Sequence, residues 1–305
     1  MLYKKNVNKY LNIYHILLYK METIPVIIFH IGNQEYVHLC LKQAVYYKND
    51  VRILTDNPSY FNYEGITAVD FKKYTLFARS FELLYKHFST NSYQLELICI
   101  IRWMYIYEYM KENNIQKAFI CDSDVLLYAN ISDIVKTHLK EDIYLCTSGS
   151  KNITGGQSVF TLNKLEDFVQ FIFRFYKTQI PNIMKWQKNY TENGGICDMT
   201  LLYYFAHNSS EFVGLRLPNY PCFQNDLTKI FNEEFTFDLH LGVSGNHPYP
   251  NDYEMVENRK NIIIENETAY CYNKRLNKRV RFVLLHFQGV HKKVMFNYFY
   301  KKHLK

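Results

Sequence analysis

Lys117-Ala-Phe-Ile-Cys-Asp122-Ser123-Asp124-Val-Leu-Leu-Tyr128 is an apolar strand that runs into two carboxylates. In an extended strand an i, i+2 pair points to the same side, so both side chains meet at the strand's end and can share one divalent cation. Such a cation suits a diphosphate. Chance alone produces a D-x-D about once in a chain of this length, and strand ends favour Asp. The apolar run before it raises the functional reading, as does a second strand that ends in ligand-type groups: Val283-Leu-Leu-His286-Phe-Gln-Gly289-Val-His-Lys292.

The flanking chain alternates strands and helices. Pro25-Val-Ile-Ile-Phe-His30-Ile31 is a continuous apolar run closed by Gly32-Asn33, which predicts a buried parallel strand and its turn. Helical spacing follows over 35–48 through Val37, Leu41, Ala44 and Val45, then a strand from Val51 that stops at Asp56-Asn57-Pro58. This βαβ opening directs its strand-end loops at a ligand. A third strand is expected over 65–71, helices near 76–88 and 93–113, a helix near 132–139 and a strand over 142–147. Next come a turn at Gly155-Gly156-Gln157-Ser158, a strand over 158–161 and a helix over 164–177. Glu192-Asn-Gly-Gly-Ile-Cys-Asp198 reads as a Gly-rich turn with Asp198 at or near a helix N-cap. Residues 212–286 look strand-rich, with a hairpin through Asn273–Asn277, and a helix near 290–303 closes the chain. In the 93–113 helix, Arg102 is the odd charge on a stripe with Leu95, Cys99, Ile106 and Tyr109; it either snorkels or reaches a ligand.

The chain has 305 residues, 48% of them hydrophobic, enough for one large core, and no Pro/Gly/Ser-rich linker divides it. We expect an α/β domain over 22–305, with a nucleotide half over about 22–130 and an acceptor half over about 131–305. Residues 1–21 read as an extension, disordered or amphipathic: Tyr10–Tyr19 is interrupted by Asn12 and His15 and is too short to span a bilayer. The formal charge of +7 is spread out, with clusters at Lys274–Arg279 and Lys301–Lys305 that read first as solvated surface and second as attraction for an anionic substrate. No nucleic-acid-binding motif is present. The cysteines number seven, lack a C-x-x-C and include several in apolar runs, which suits a reducing, cytoplasmic compartment, with a peripheral membrane location as a further option. Sequons at Asn130, Asn152, Asn189, Asn208 and Asn266 point the other way, although an Asn-rich chain generates them by chance.

The order of these motifs resembles the GT-A class of nucleotide-sugar glycosyltransferases over residues 22–295. His286-x-x-Gly289-x-x-Lys292 is similar to the H-x-x-G-x-x-K element of the retaining, glycogenin-like family 8, although Lys293 stands where that family usually has Pro. The resemblance implies a Rossmann-like mixed sheet flanked by helices, and a hexose moved from a nucleoside-diphosphate sugar, UDP-sugar foremost, to a glycan, protein or lipid hydroxyl. It implies that Asp122, Asp124 and His286 hold a metal, and one imidazole among carboxylate oxygens favours Mn²⁺ or Mg²⁺. It assigns Asp122 and Ser123 to the donor as well, Gly289 to close approach of the diphosphate, and Lys292 to the charge on the leaving group. His30, Gly32, Asn33 and Asp56 fall on the loops that hold base and ribose, and Arg102 within reach of the phosphates. Asp198 falls where inverting enzymes carry a base and family 8 enzymes an Asp that holds sugar hydroxyls; plain capping also explains it. The Gly155–Ser158 turn is a candidate lining of the sugar pocket. A buried strand histidine is the structural alternative for His286.

Three competing readings remain open on the sequence. A haloacid-dehalogenase phosphatase also uses D-x-D, as nucleophile and acid/base, but on its first strand. The second alternative is a catalytically inactive carbohydrate-binding scaffold of the same fold. A sugar-1-phosphate nucleotidyltransferase would need a Gly-rich phosphate loop after the first strand, and none is present.

Overall fold

The computed structural model describes residues 23–147, 153–186, 195–208, 224–243 and 252–299. The 1–21 extension, Cys222, Glu192–Gly194, the sequons at Asn152 and Asn189, the expected strand content of 212–223 and the basic cluster at 301–305 lie outside them.

The opening unit forms as its apolar spacing predicts. Strand β1 (Val26–His30), helix α1 (Glu35–Tyr46), β2 (Val51–Thr55) and β3 (Ile66–Asp70) build a parallel array in which β1 pairs with β2 and β2 with β3. Helices α2 (Leu76–Glu82) and α3 (Tyr93–Glu112) follow, and β4 (Lys117–Cys121) returns parallel to β1 on its other side. After β5 (Val125–Leu127), α4 (Ile131–His138) and β6 (Ile143–Thr147), β7 (Ile153–Thr161) runs antiparallel between β4 and β6. The sheet order is β3-β2-β1-β4-β7-β6, so the sheet is mixed. The mixed sheet flanked by helices that the resemblance implied is therefore present.

Side chains alternate across this sheet, as the pleat requires. Val26, Ile28, Val51, Ile53, Phe119 and Cys121 pack on one face with α1 and α4. Ile27, Leu54, Ala118 and Ile120 face the opposite layer, made of α2, α3, α5 (Leu162–Trp186) and α6 (Asp198–Ala206). Helix α3 starts where the Ser92 side chain accepts the Leu95 N–H, and it ends before Asn114, whose φ of 54° breaks the helix. Trp103, Met104, Ile106 and Tyr107 are fully buried on it.

The second half supplies another sheet. Strands β8 (Phe235–Phe237), β9 (Met255–Val256), β10 (Arg259–Lys260), β11 (Ile263–Glu265), β12 (Thr268–Asn273) and β13 (Lys278–His286) follow in chain order. The sheet runs β11-β12-β13-β5, with β8 also on β13. Because β5 directly follows Asp124 and pairs His286 with Val125, this ladder joins the two motifs. The hairpin through Asn273–Asn277 is present between β12 and β13.

Three expectations are corrected. The 76–88 helix stops at Glu82. Gly155–Ser158 is no turn: it lies inside β7, because the backbone there pairs with β4 through Gln157 and Cys121. The closing helix is a 3₁₀ turn over Gly289–Val294 and one helical turn, α7 (Met295–Tyr298). The basic residues around 274–279 form the solvated surface expected of them, Arg275 paired with Asp252, Lys278 with Glu233 and Arg279 with Glu265.

Candidate active site

Parallel strands β1, β2 and β4 present their carboxyl ends along one edge, which brings together His30, the Gly32 turn, Asp56 and the Asp122–Asp124 stretch. Such an edge is where open α/β sheets bind ligands. The two aspartates do not sit on a strand pleat as expected. β4 ends at Cys121, and Asp122-Ser123-Asp124 form a tight turn into β5, held where the Asp122 N–H donates to the Gly156 carbonyl at 2.7 Å and the Phe287 N–H to the Asp124 carbonyl at 2.9 Å. The turn still aims both carboxylates at His286. One ligand atom from each of Asp122, Asp124 and His286 lies within 4.8 Å of the others.

The His286 side chain is committed in one direction. Its Nδ1–H donates to the Leu239 carbonyl at 2.7 Å, which leaves Nε2 as the nitrogen facing the carboxylates. Nε2 lies 3.3 Å from Asp124 Oδ1 but completes no well-formed hydrogen bond, and it is buried. A buried, unsatisfied imidazole nitrogen facing two carboxylates fits a divalent cation, and the donor set of one nitrogen and oxygens suits Mn²⁺ or Mg²⁺.

Without such a cation, protein charges balance the carboxylates. Lys292 Nζ lies 3.1 Å from Asp124 Oδ2. Burial pushes the Asp124 carboxyl up, yet His286 and Lys292 outweigh it and hold the group well below the usual carboxylate range. Burial likewise pulls the His286 imidazole down, and Asp124, then Asp122, outweigh it and hold it up to about 9. Each charge is there because the others are.

Arg102 does not snorkel. From the middle of α3 it donates to Asp122 Oδ1 at 2.7 Å and to Asp198 Oδ2 at 2.8 Å, so it ties the metal-type cluster to the start of α6. Asp198 is the first residue of α6 rather than its cap, which is Cys197. Trp103 Nε1–H also reaches Asp198 Oδ2, at 3.4 Å. Burial raises the Asp198 carboxyl and Arg102 only partly offsets that. Below it, Glu96 is buried and accepts hydrogen bonds from Ser89 at 2.8 Å and Asn91 at 2.9 Å.

The remaining sequence candidates divide. His30 Nε2–H donates to Gln34 Oε1 at 2.5 Å and Nδ1 accepts from the Ser123 hydroxyl at 2.9 Å, so His30 braces the centre of D-x-D. Burial lowers its basicity, consistent with a neutral ring in that role. Asp56 accepts the Gly32 N–H at 2.9 Å through Oδ1, and Asn33 accepts from His38 at 2.7 Å. Gly289 has φ 62°, and a Cβ there would meet open space, so its backbone faces an unobstructed approach. A cavity of about 240 Å³ is lined by Glu35, Tyr36, Leu39, Lys292, Lys293 and Phe296.

Glycines 155 and 156 matter more than expected of a pocket lining. A Cβ at Gly155 would stand 2.2 Å from the Trp103 ring, and one at Gly156 would stand 2.5 Å from Asp122 Oδ2. Trp103, Glu96 and the Asp238–Lys260 pair described below carry no signal in the sequence, since each acts through neighbours distant in the chain.

No family model matches the chain, and no curated protein matches it. Among solved structures it is similar to mouse xyloside xylosyltransferase 1 in its apo form, at 8% identity over 61% of this chain and 82% of that one, with a TM-score of 0.42. A glycosyltransferase involved in the glycosylation of the major capsid of PBCV-1 aligns at 13% identity, 52% and 67% coverage and a TM-score of 0.30. The apo-form glycosyltransferase GlyE of Streptococcus pneumoniae TIGR4 aligns at 14% identity, over 61% of this chain and 44% of its own, with a TM-score of 0.33. Likenesses this distant fix neither activity nor substrate. Among the described residues no helix is long and apolar enough to cross a membrane.

Proposed function

We propose that the chain is a metal-dependent glycosyltransferase that moves a hexose from a nucleoside-diphosphate sugar, UDP-sugar foremost, to a hydroxyl acceptor with retention of configuration. The observation that carries this reading is the convergence of Asp122, Asp124 and the unsatisfied Nε2 of His286 within 4.8 Å at the carboxyl edge of a parallel array. When bound, Mn²⁺ or Mg²⁺ would supply positive charge to the departing diphosphate.

The protein's own groups divide the remaining work. Lys292, in the 3₁₀ turn that begins at Gly289, is a partly exposed cation on Asp124 that can exchange that carboxylate for a phosphate oxygen. Arg102 holds Asp122 and Asp198 at a fixed separation, so donor diphosphate and donor sugar would be positioned by one guanidinium. His30 and Ser123 keep the D-x-D turn in register.

Retention is favoured by the state of Asp198. An inverting enzyme needs a carboxylate free to take the acceptor's proton. Asp198 has one oxygen clamped by Arg102 and Trp103 and a side chain only 9% exposed, which suits a group that holds sugar hydroxyls. The same clamp on Asp122 Oδ1 is unhelpful to a phosphatase nucleophile.

The test is nucleoside-diphosphate release from a panel of UDP- and GDP-sugars with Mn²⁺ and simple alkyl glycosides as hydroxyl acceptors, with the anomeric configuration of the glycoside product read by NMR. One donor should be turned over with its α or β configuration kept, and Asp124→Asn should lower the rate at least about 100-fold. Release with inversion would reassign Asp198, and no release from any donor would contradict the proposed activity.

A further inference from the structure

Lys260 is a buried lysine, 1% exposed, on the short hairpin of β9 and β10. Lysine is almost never buried unless paired. Its ammonium donates to Asp238 Oδ1 at 2.8 Å and to the His240 carbonyl at 2.8 Å, and it lies 5.7 Å from the centre of the Tyr253 ring. Asp238 is equally buried.

What the pair holds is the segment 238–241, and that segment holds His286. Asp238 Oδ2 accepts the His286 backbone N–H at 3.1 Å, the Leu239 carbonyl accepts its Nδ1–H at 2.7 Å, and the Leu241 N–H donates to its carbonyl at 2.9 Å. Every polar atom of His286 except Nε2 is thus engaged by one short, irregular stretch of chain. That stretch has little ladder of its own beyond β8. Lys260 gathers it twice through its ammonium and once through its backbone, whose N–H donates to the Leu241 carbonyl at 2.9 Å.

We propose that Lys260 and Asp238 are positioning residues for the His286 ligand, fixing its ring through segment 238–241 so that Nε2 faces Asp122 and Asp124. A neutral apolar pair could fill the same space, but it would leave the His286 N–H without its acceptor and take the ammonium from the His240 carbonyl, loosening the segment whose Leu239 carbonyl fixes the ring. Groups that orient a metal-ligating histidine set affinity without touching the metal. The inference rests on reading Asp122, Asp124 and His286 as a divalent-cation site.

The test compares Mn²⁺ binding, by calorimetry and without nucleotide, in the wild type, the double variant Asp238→Asn/Lys260→Met, and His286→Ala. The double variant removes both charges at nearly constant volume, so no unpaired buried charge remains. It should keep the wild-type circular dichroism and bind Mn²⁺ about 10- to 100-fold more weakly. UDP affinity in the absence of metal should stay unchanged. Should the double variant not fold, Lys260→Met alone, which removes the ammonium's hold on Asp238 and the His240 carbonyl, is measured by the same criterion, and Lys260→Gln, which retains a donor for both acceptors, should return Mn²⁺ affinity to within about threefold of wild type. A folded double variant or Lys260→Met variant whose melting temperature falls while its Mn²⁺ affinity stays within about threefold of wild type would overturn the proposal and leave the pair a purely structural one. A wild type that binds no more Mn²⁺ than His286→Ala would instead remove the metal site itself, and the positioning role with it.

Discussion

At the site, charges are balanced within the chain, and that balance makes the behaviour of single residues predictable. Asp124 faces two cations, His286 and Lys292, at 3.3 and 3.1 Å. A divalent cation must displace the proton that the aspartates hold on His286 up to about 9. Binding therefore releases one proton, and Mn²⁺ affinity should rise about tenfold per pH unit from pH 6 to pH 8. A pH-independent affinity over that range would show that His286 is no ligand. The stability linkage has a definite sign as well. His286 has its basicity raised by folding, so in the metal-free protein its contribution is complete below the unfolded value of about 6.5 and is lost as pH rises through about 9. Metal-free melting temperature should accordingly decline from pH 7 to pH 9.5, and saturating Mn²⁺ should flatten that decline. Arg102 makes a second kind of balance. Arg102→Met strands two carboxylates and should cost about 3 kcal/mol in urea denaturation, the low end for a broken buried pair because both partners retain some exposure. Adding Asp198→Asn should recover part of that loss.

Among the elements, β4, β7 and α3 lock together through two positions without side chains. Gly156→Ala would drive a methyl against Asp122 Oδ2, and Gly155→Ala one against the Trp103 ring. The first should weaken Mn²⁺ binding while the protein stays folded; the second should cost about 1–3 kcal/mol of stability, as overpacking does, with the metal site little changed. Equal effects of both on stability and binding would contradict this division of labour. Most elements were legible from apolar periodicity: the β1 run, the α1 stripe and the Asn273–Asn277 hairpin all appear where their residues indicate. The glycine pair was not, because two consecutive glycines signal a turn locally, whereas here they mark close approach of backbone to Trp103 and Asp122 inside a strand. The 76–88 stretch failed for the opposite reason: its apolar residues continue, but the helix stops at Glu82 and Leu83 is left exposed.

Across the whole molecule, the site exists because two sheets meet along one seam. β5 leaves the D-x-D turn and pairs with β13, so His286 lies opposite Val125, one residue beyond Asp124. The motifs that carry this contact were legible, since each is an apolar strand ending in a ligand-type residue. What orders them was not: Arg102 reads as a stray charge on a helix, and Lys260 and Asp238 carry no signal, because their partners come from other parts of the chain. The central claim is a donor site in which metal and nucleotide depend on each other. Its most direct test is the melting temperature with UDP, GDP and their sugars, each with and without Mn²⁺. A rise with Mn²⁺ and nucleotide together that exceeds the sum of the rises with either alone, and loses that excess in Asp124→Asn, is the predicted result. A rise with nucleotide alone that Mn²⁺ does not enlarge, unchanged in Asp124→Asn, would contradict the metal-dependent site.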